Sequence, residues 1–258
     1  MDLGIRDKVA VVTASSSGMG RNIAHALARE GAHVLLFART ADKLEGVAAE
    51  IRAAHGVRAR AVPGDMLAEA DVERLAQVVH DEFGGVDILV LNTGRAPHSL
   101  RATLEETEAA RWHAAYHNQV WSVIQVASRL MPLMIGRGWG RVVAITSASV
   151  KQPMPHHSLS TVFRAGVTAY IRHLANEVGV HGITANCVAP ALIDTSHRSG
   201  SAAYTPDQAA ARKAMTPLGR MGLQDEACGV VAFLASSQAG LVTGSTVAVE
   251  GGMVGSLF

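Results

Sequence analysis

The sequence lacks the features that usually point to metal, nucleic-acid or membrane partners. Its two cysteines, Cys187 and Cys228, lie in apolar runs without metal-ligand spacing, so both are predicted to be buried thiols. Lys plus Arg (23) and Asp plus Glu (22) nearly balance, which argues against a nucleic-acid surface. No uncharged apolar stretch reaches the roughly 18 residues of a membrane span, and no cationic, apolar leader opens the chain. We therefore expect no metal, nucleic-acid or membrane partner, and a cytoplasmic location.

Short apolar runs alternate with segments of helical periodicity from one end of the chain to the other. Hydrophobic residues make up 48% of the 258 positions and aromatic residues only 4%, a composition that suits helices packed closely on a sheet. Helical spacing of apolar residues is clear in 21–30 and 41–55. The predicted strands are 8–13, 33–37, 58–62, 86–91, 141–146, 182–188 and 246–249.

These strands are apolar throughout rather than alternating, which is typical of a parallel sheet buried on both faces. Right-handed crossovers then place helices on both faces. The sequence therefore predicts an α/β fold with a doubly wound parallel sheet of about seven strands. No linker or repeat divides residues 1–258, so we expect a single domain. The least regular stretch, 194–216, is predicted to be a substrate lid beyond a strand's carboxyl end.

A run of small residues follows the first predicted strand. Such a run lets the backbone approach a pyrophosphate, and the next helix offers free N–H groups and the positive end of its dipole. Alone, a Gly-x-Gly at a helix start is weak evidence, but its place after a buried first strand strengthens it. The candidate cofactor residues here are Thr13, Ser15, Ser16, Ser17, Gly18, Met19 and Gly20.

Further motifs follow in a fixed order along almost the whole chain. They are Asp65-Met66, Leu91-Asn92-Thr93-Gly94, Asn186-Cys187-Val188-Ala189-Pro190-Ala191, Thr195 and Val247-Ala248-Val249-Glu250-Gly251-Gly252. Together with the first loop, in which Ala14 replaces a glycine, the series resembles the short-chain dehydrogenase/reductase family. The resemblance implies a Rossmann-type fold and a dinucleotide cofactor. The further cofactor-binding positions that it implies are Asp65, Met66, Asn92, Gly94, Arg164, Pro190, Ile193 and Thr195.

The end of the second strand indicates which dinucleotide binds. NAD-selective proteins of this fold carry an acidic residue there that binds the ribose 2′-OH. This chain has Ala38 followed by Arg39, and a guanidinium offers a planar fork of donors to a 2′-phosphate. We therefore expect NADP, with NAD the less favoured alternative.

The resemblance also implies four catalytic positions, two of which depart from the family pattern. Asn118 and Ser147 match the family's Asn and Ser. The positions of the Tyr and Lys hold Ser160 and Arg164, and no tyrosine lies between residues 147 and 164. A serine hydroxyl is a far weaker acid than a phenol, so proton transfer should suffer more than cofactor binding. The pattern resembles a divergent β-ketoacyl-reductase-like subgroup that lacks the usual Tyr–Lys pair.

Histidines are the alternative proton donors, because imidazole titrates near neutrality. His156 and His157 precede Ser160, and we take His157 as the candidate, although both would also fit an exposed loop. The leading hypothesis is an NADP(H)-dependent oxidoreductase acting on a small or carrier-bound carbonyl or alcohol. A non-redox dehydratase, isomerase or cyclase, or a catalytically silent protein, stays open. A long helix at about 107–134 and the helix after Ser160 resemble those of the family's dimer interface, which implies a homodimer or homotetramer.

Overall fold

The computed structural model describes residues 2–94, 100–194 and 204–257. In these ranges the strands are β1 Val9–Thr13, β2 His33–Ala38, β3 Ala59–Pro63, β4 Ile88–Leu91, β5 Gly140–Ile145, β6 Ile183–Pro190 and β7 Thr246–Val249. All pair in parallel, in the order β3-β2-β1-β4-β5-β6-β7. The order reverses between β1 and β4, and in open α/β sheets ligands bind beyond the carboxyl ends of the strands at that point.

The helices lie on both faces of the sheet. They are α1 Gly18–Arg29, α2 Ala41–His55, α3 Glu69–Phe83, α4 Ala109–Tyr116, α5 Ser122–Leu130, α6 Ser158–Val178, α7 Pro206–Ala214 and α8 Gln224–Leu234. Capping residues define the ends of α2 and α3 and the start of α7. Gly56 and Gly84 adopt the left-handed conformation that closes α2 and α3, and Thr205 and Gln208 form a capping box at the start of α7.

Successive residues of each central strand enter different hydrophobic cores. In β1, Ala10 and Val12 pack with α1, α2 and α8, whereas Val9 and Val11 pack with α3, α5 and α6. Because both faces are covered, the strands need apolar side chains at every position. This explains the unbroken apolar runs in the sequence, and it confirms the predicted Rossmann-type doubly wound sheet with helices on both faces.

The expectation of one continuous helix over 107–134 was wrong in one respect. The segment is helical over most of its length, but residues His117–Trp121 form a turn of π-helix between α4 and α5. Isolated π-turns of this kind are frequent at functional sites.

The described ranges contain neither a helix that is long and apolar enough to cross a membrane nor a group of three or more His, Cys, Asp or Glu side chains that could hold a metal ion. Cys187 and Cys228 are both buried, as predicted, and form no disulfide, and burial raises the pKa of the Cys187 thiol to about 12.

Candidate active site

A cleft of about 590 Å³ opens at the carboxyl edge of the sheet, where the strand order reverses. Parallel strands bring their carboxyl ends to one edge, so loops far apart in sequence meet there. The predicted site residues on its walls are Ser16, Ser17, Gly18, Met19, Arg39, Asp65, Met66, Asn92, Gly94, Asn118, Arg164 and Pro190. Most of the predicted cofactor site is therefore one contiguous surface.

Thr13 and Ser15 lie below this surface rather than on it, and both are fully buried. The Thr13 hydroxyl donates to the carbonyl oxygen of Asn92 at 2.6 Å and accepts from its backbone N–H at 2.9 Å. The Ser15 hydroxyl accepts from the backbone N–H of Phe37 at 3.1 Å. These bonds fasten the loop after β1 to β4 on one side and to β2 on the other.

The loop after β1 is held close to the first turn of α1. A Cβ atom on Gly20 would lie 2.4 Å from the Ala14 carbonyl oxygen and 2.8 Å from the Asn92 Nδ2 atom. Ala14 itself has a φ of 48°, in the left-handed region where a glycine is more comfortable. The backbone thus keeps the conformation that a glycine favours, although the sequence places alanine there.

The first turn of α1 faces the cleft with its N–H groups free of competing side chains. Ser17 is the N-cap residue and makes no side-chain cap bond, and no acidic residue lies in the first turn. These N–H groups and the helix dipole make this end of the helix suited to an anion.

Arg39 follows β2 directly and is exposed on the cleft wall. Within residues 2–94, 100–194 and 204–257 its guanidinium has neither a hydrogen bond nor a salt bridge. The residue before it, Ala38, has no side-chain acceptor. Position 38 therefore offers no carboxylate, and Arg39 is a cation without a partner among the described residues.

Asp65 and Met66 form the wall beyond β3. The Asp65 carboxylate accepts from the backbone N–H of Leu67 at 3.0 Å, and the Asp65 backbone N–H donates to the Asp71 carboxylate at 2.9 Å. This backbone bond, with the Arg74 guanidinium, holds the pKa of the Asp71 carboxyl below its usual value. The Gln125 side chain donates to the Met66 carbonyl at 3.2 Å, so the turn is tied to α5 as well.

Arg164 projects from α6 into the inner end of the cleft and is only 8% exposed. Its guanidinium donates to the carbonyl oxygens of Ile145 at 2.6 Å and Gly94 at 3.2 Å. No carboxylate among the described residues pairs with it, and burial lowers the pKa of the Arg164 guanidinium to about 10. It stays a cation at neutral pH, with donors left over for a ligand.

Asn118 lies in the π-turn and is exposed on the cleft wall, one helical turn from buried Ser122. The Ser122 hydroxyl donates to the Asn118 carbonyl oxygen at 2.8 Å. The turn separates α4 from α5 at the position where the side chain meets the cleft. The hydrophobic periodicity of the sequence did not predict this π-turn.

Ser147 follows β5 and is half-buried, and Ser160 is half-buried one turn before Arg164 on α6. The His157 Nδ1 atom lies 2.7 Å from the Pro155 carbonyl oxygen, so Nδ1 carries the proton and donates it there. None of these three side chains is on the described cleft wall. His156 is exposed with a φ of 62°.

One predicted cofactor position, Ile193, lies elsewhere: it lines a neighbouring cavity of about 410 Å³ and pairs with Gly222 in an isolated bridge. Thr195 lies outside the described residues, as does part of the predicted lid at 194–216, whose described part contains α7. The remaining wall residues were not among the predicted site residues, although Ala14, Ala38 and Thr93 lie in the motifs that carried the prediction. These remaining wall residues are Ala14, Ala38, Thr40, Gly64, Leu67, Thr93, Ser122, Ile145 and Thr146.

The sheet order and the cleft at its reversal define the class of Rossmann-type α/β proteins. Comparison with known proteins identifies the family within this class. The family model described as enoyl-(acyl carrier protein) reductase matches residues 13–254. The 3-oxoacyl-(acyl-carrier-protein) reductase FabG of Escherichia coli is 32% identical over 251 residues, which is 97% of this chain and 99% of that protein.

Two solved structures of similar proteins indicate the same family. L-sorbose reductase from Gluconobacter frateurii, complexed with NADPH and L-sorbose, superposes with a TM-score of 0.87 at 32% identity and 100% coverage of both chains. A short-chain dehydrogenase/reductase mutant from Serratia marcescens gives a TM-score of 0.86 at 29% identity, covering 97% of this chain and 99% of the other. The present chain belongs to the short-chain dehydrogenase/reductase family, as the motif order predicted.

Proposed function

We propose that this protein is an NADP(H)-dependent oxidoreductase that interconverts a carbonyl and an alcohol on a small or carrier-bound substrate. The observation that carries the proposal is the cleft, which joins a phosphate-type loop, an unpaired Arg39 and a buried cationic Arg164. The relatives named above are reductases, which favours redox chemistry over a dehydratase, isomerase or cyclase.

The described residues fit a bound NADP. The free N–H groups at the start of α1 suit the diphosphate, and the close approach at Gly20 keeps the backbone near it. Asp65 and Met66 would border the adenine. Arg164, with donors left after its two carbonyl bonds, would hold the ribose next to the nicotinamide. The reduced cofactor would supply a hydride. The residues of this chain orient the cofactor, supply positive charge and deliver a proton to the substrate oxygen.

Arg39 provides the test of cofactor choice. We expect Arg39→Asp to weaken NADPH binding about 10- to 100-fold, because a charge-assisted bond to the 2′-phosphate is lost and repulsion replaces it. NADH binding should stay equal or improve, since a carboxylate can accept from the ribose 2′-OH. Titration of both nucleotides by calorimetry measures this. Arg58→Asp, which changes an exposed Arg away from the cleft, is the control, and equal weakening for both nucleotides would contradict the assignment.

We assign the catalytic roles to residues beside the inner end of the cleft, where Ser147 follows Thr146 and Ser160 precedes Arg164 by one helical turn. Ser147 donates a hydrogen bond to the substrate oxygen, which would gain negative charge as the carbonyl is reduced. Asn118 orders water at the π-turn. Ser160 and Arg164 occupy the places of the family's Tyr and Lys, so a water or His157 delivers the proton while Arg164 supplies positive charge.

Restoring a phenol tests this atypical arrangement. We expect Ser160→Tyr to raise kcat for carbonyl reduction about 10-fold, because a phenol next to the Arg164 cation becomes a usable acid. Ser160→Phe adds the same ring without the hydroxyl and should give no increase. Steady-state NADPH oxidation measures both variants. An equal response from the Tyr and Phe variants would show that position 160 does not handle the proton.

The activity itself is tested by following NADPH absorbance with a panel of ketones, ketoses and 3-oxoacyl thioesters. Turnover that is lost in Ser147→Ala supports the proposal. Tight NADPH binding without hydride transfer to any member of the panel would overturn it in favour of a non-redox or silent protein.

We also propose a homodimer or homotetramer built on α4, α5 and α6. Large apolar side chains remain exposed on this side, with Tyr116 37%, Trp121 39% and Val162 49% exposed. Light scattering of the purified protein and of Val162→Glu tests it, since a charge in an apolar interface should shift the protein toward the monomer.

A further inference from the structure

The hydroxyl of Ser149 lies against that of Ser147, and the proposed function gives it no role. Ser149 is completely buried, in the short 3-10 turn that follows β5. Its Oγ atom is 3.1 Å from the Ser147 Oγ atom, and its backbone N–H donates to the same oxygen at 3.3 Å. In the described ranges, Ser147 is the sole hydrogen-bond partner of the Ser149 side chain.

The position of the Ser149 proton follows from burial. If Ser147 donated to Ser149, the Ser149 proton would be buried without an acceptor among these residues, which native structures avoid. If Ser149 donates instead, its buried N–H and its buried hydroxyl proton both have an acceptor, the Ser147 Oγ atom. Ser147 is half-buried and directly follows Thr146, which lies on the cleft wall, so its own proton can point outward and meet water or a ligand. The Ser149 hydroxyl is therefore the donor in this pair.

A serine oxygen has two lone pairs and one proton. Here the Ser149 N–H and O–H occupy both lone pairs of Ser147, which leaves only the proton of Ser147 for the substrate. A hydroxyl that accepts a hydrogen bond is also polarised into a stronger donor.

From this geometry we infer that Ser149 is a positioning residue that makes Ser147 a one-way hydrogen-bond donor to the substrate oxygen. The inference rests on the proposed carbonyl chemistry and adds a specific demand on the substrate. The group that meets Ser147 must accept a hydrogen bond, as the oxygen of a ketone, of a thioester carbonyl or of the corresponding alcohol does. A ligand that needs Ser147 as a base or as an acceptor does not fit.

Isosteric variants test the inference. Threonine and valine have the same shape and differ by the hydroxyl, so Ser149→Thr should keep kcat and Ser149→Val should lower it about 10-fold. This loss is smaller than the roughly 10²-fold or greater loss expected from removing a direct donor to the reacting oxygen. KM, the Kd for NADPH and the melting temperature should match between the two variants. Equal kcat values for the two variants would overturn the inference.

A double-mutant cycle separates action through Ser147 from a general structural effect. In a Ser147→Ala background the Thr and Val variants at position 149 should have the same residual kcat, because the group being positioned is gone. A 10-fold difference that persists in that background would show that Ser149 acts by another route.

A measurement without turnover keeps this inference distinct from the proposed function. Neutron diffraction of deuterated wild-type protein should show the Ser149 deuteron on the line to the Ser147 oxygen and the Ser147 deuteron directed into the cleft. The reverse arrangement would overturn the inference even in an active enzyme. The expected arrangement in a protein that transfers no hydride would leave the donor assignment standing while the oxidoreductase proposal fails.

Discussion

Replacing Gly20 by alanine is expected to lower the free energy of unfolding by about 3 kcal/mol and to weaken NADPH binding at least about 100-fold. The new Cβ would lie 2.4 Å from a backbone oxygen, that of Ala14, and a backbone atom cannot rotate away as a side chain can. The loop after β1 must then move, and it is fastened to both neighbouring strands by Thr13 and Ser15. Urea denaturation and nucleotide titration measure the two effects.

Gly46→Ala is the matched control. Gly46 also lies inside a helix, α2, without a left-handed φ, and a Cβ there would have no neighbour within 4 Å. Alanine should raise the free energy of unfolding by about 1 kcal/mol through helix propensity and leave NADPH binding unchanged. If Gly20→Ala bound NADPH as tightly as the wild type, the close approach of loop and helix would have no part in binding.

Arg164→Met is expected to lower kcat about 100-fold or more while changing the free energy of unfolding by less than about 2 kcal/mol. Burial lowers the pKa of this guanidinium from 12.5 to about 10, which corresponds to a cost of about 3 kcal/mol for the charged form. The bonds to the Ile145 and Gly94 carbonyls together contribute about 3–6 kcal/mol, which offsets that cost. The net effect on stability is thus small, whereas the cation that we propose beside the ribose has no replacement.

The pH dependence of this difference has a definite sign. The folded pKa lies below the unfolded one, so the penalty for burying the cation is constant below about pH 10 and shrinks only above it. The stability difference between wild type and Arg164→Met should therefore be flat from about pH 6 to 9. A difference that varies across this range would mean that another titrating group is coupled to Arg164.

Arg141→Met is the control for removing a buried arginine. Arg141 is the second residue of β5, at the edge of the sheet away from the cleft, and its guanidinium donates to the carbonyls of Ser236 at 2.8 Å and Gly140 at 2.7 Å. This variant should lose stability and keep kcat and NADPH affinity. If both Met variants lost kcat in proportion to stability, the role proposed for Arg164 would reduce to folding.

Much of the fold is predictable from local sequence patterns. The predicted bounds 41–55 and 246–249 match α2 and β7, because a left-handed Gly56 ends the helix and β-branched residues mark the strand. Other elements differ by one to a few residues at their ends, where capping and pairing decide the limits. The cleft wall was also predictable in large part, since the carboxyl ends of parallel strands meet at one edge.

Three features of the site were not predictable in this way. The π-turn at Asn118 depends on packing around a continuous helical pattern. The φ of 48° at Ala14 is imposed by the loop's attachments, and alanine gives no hint of it. The Ser147–Ser149 pair needs a tight turn after β5 that brings two hydroxyls to 3.1 Å.

The sequence by itself determined the class of fold and the family, because these depend on residue identity and spacing, and it predicts Ser160 and Arg164 in place of the family's Tyr and Lys. Only the tertiary structure decided that Thr13 and Ser15 attach the loop to the strands below it and that Arg164 is buried without a carboxylate partner among the described residues. It also placed the N–H and hydroxyl of Ser149 against the Ser147 oxygen, from which we infer that Ser147 offers only its proton. The physical reason is that burial and hydrogen-bond partners come from neighbours distant in sequence, and burial is what makes an unpaired group costly and a paired one directional.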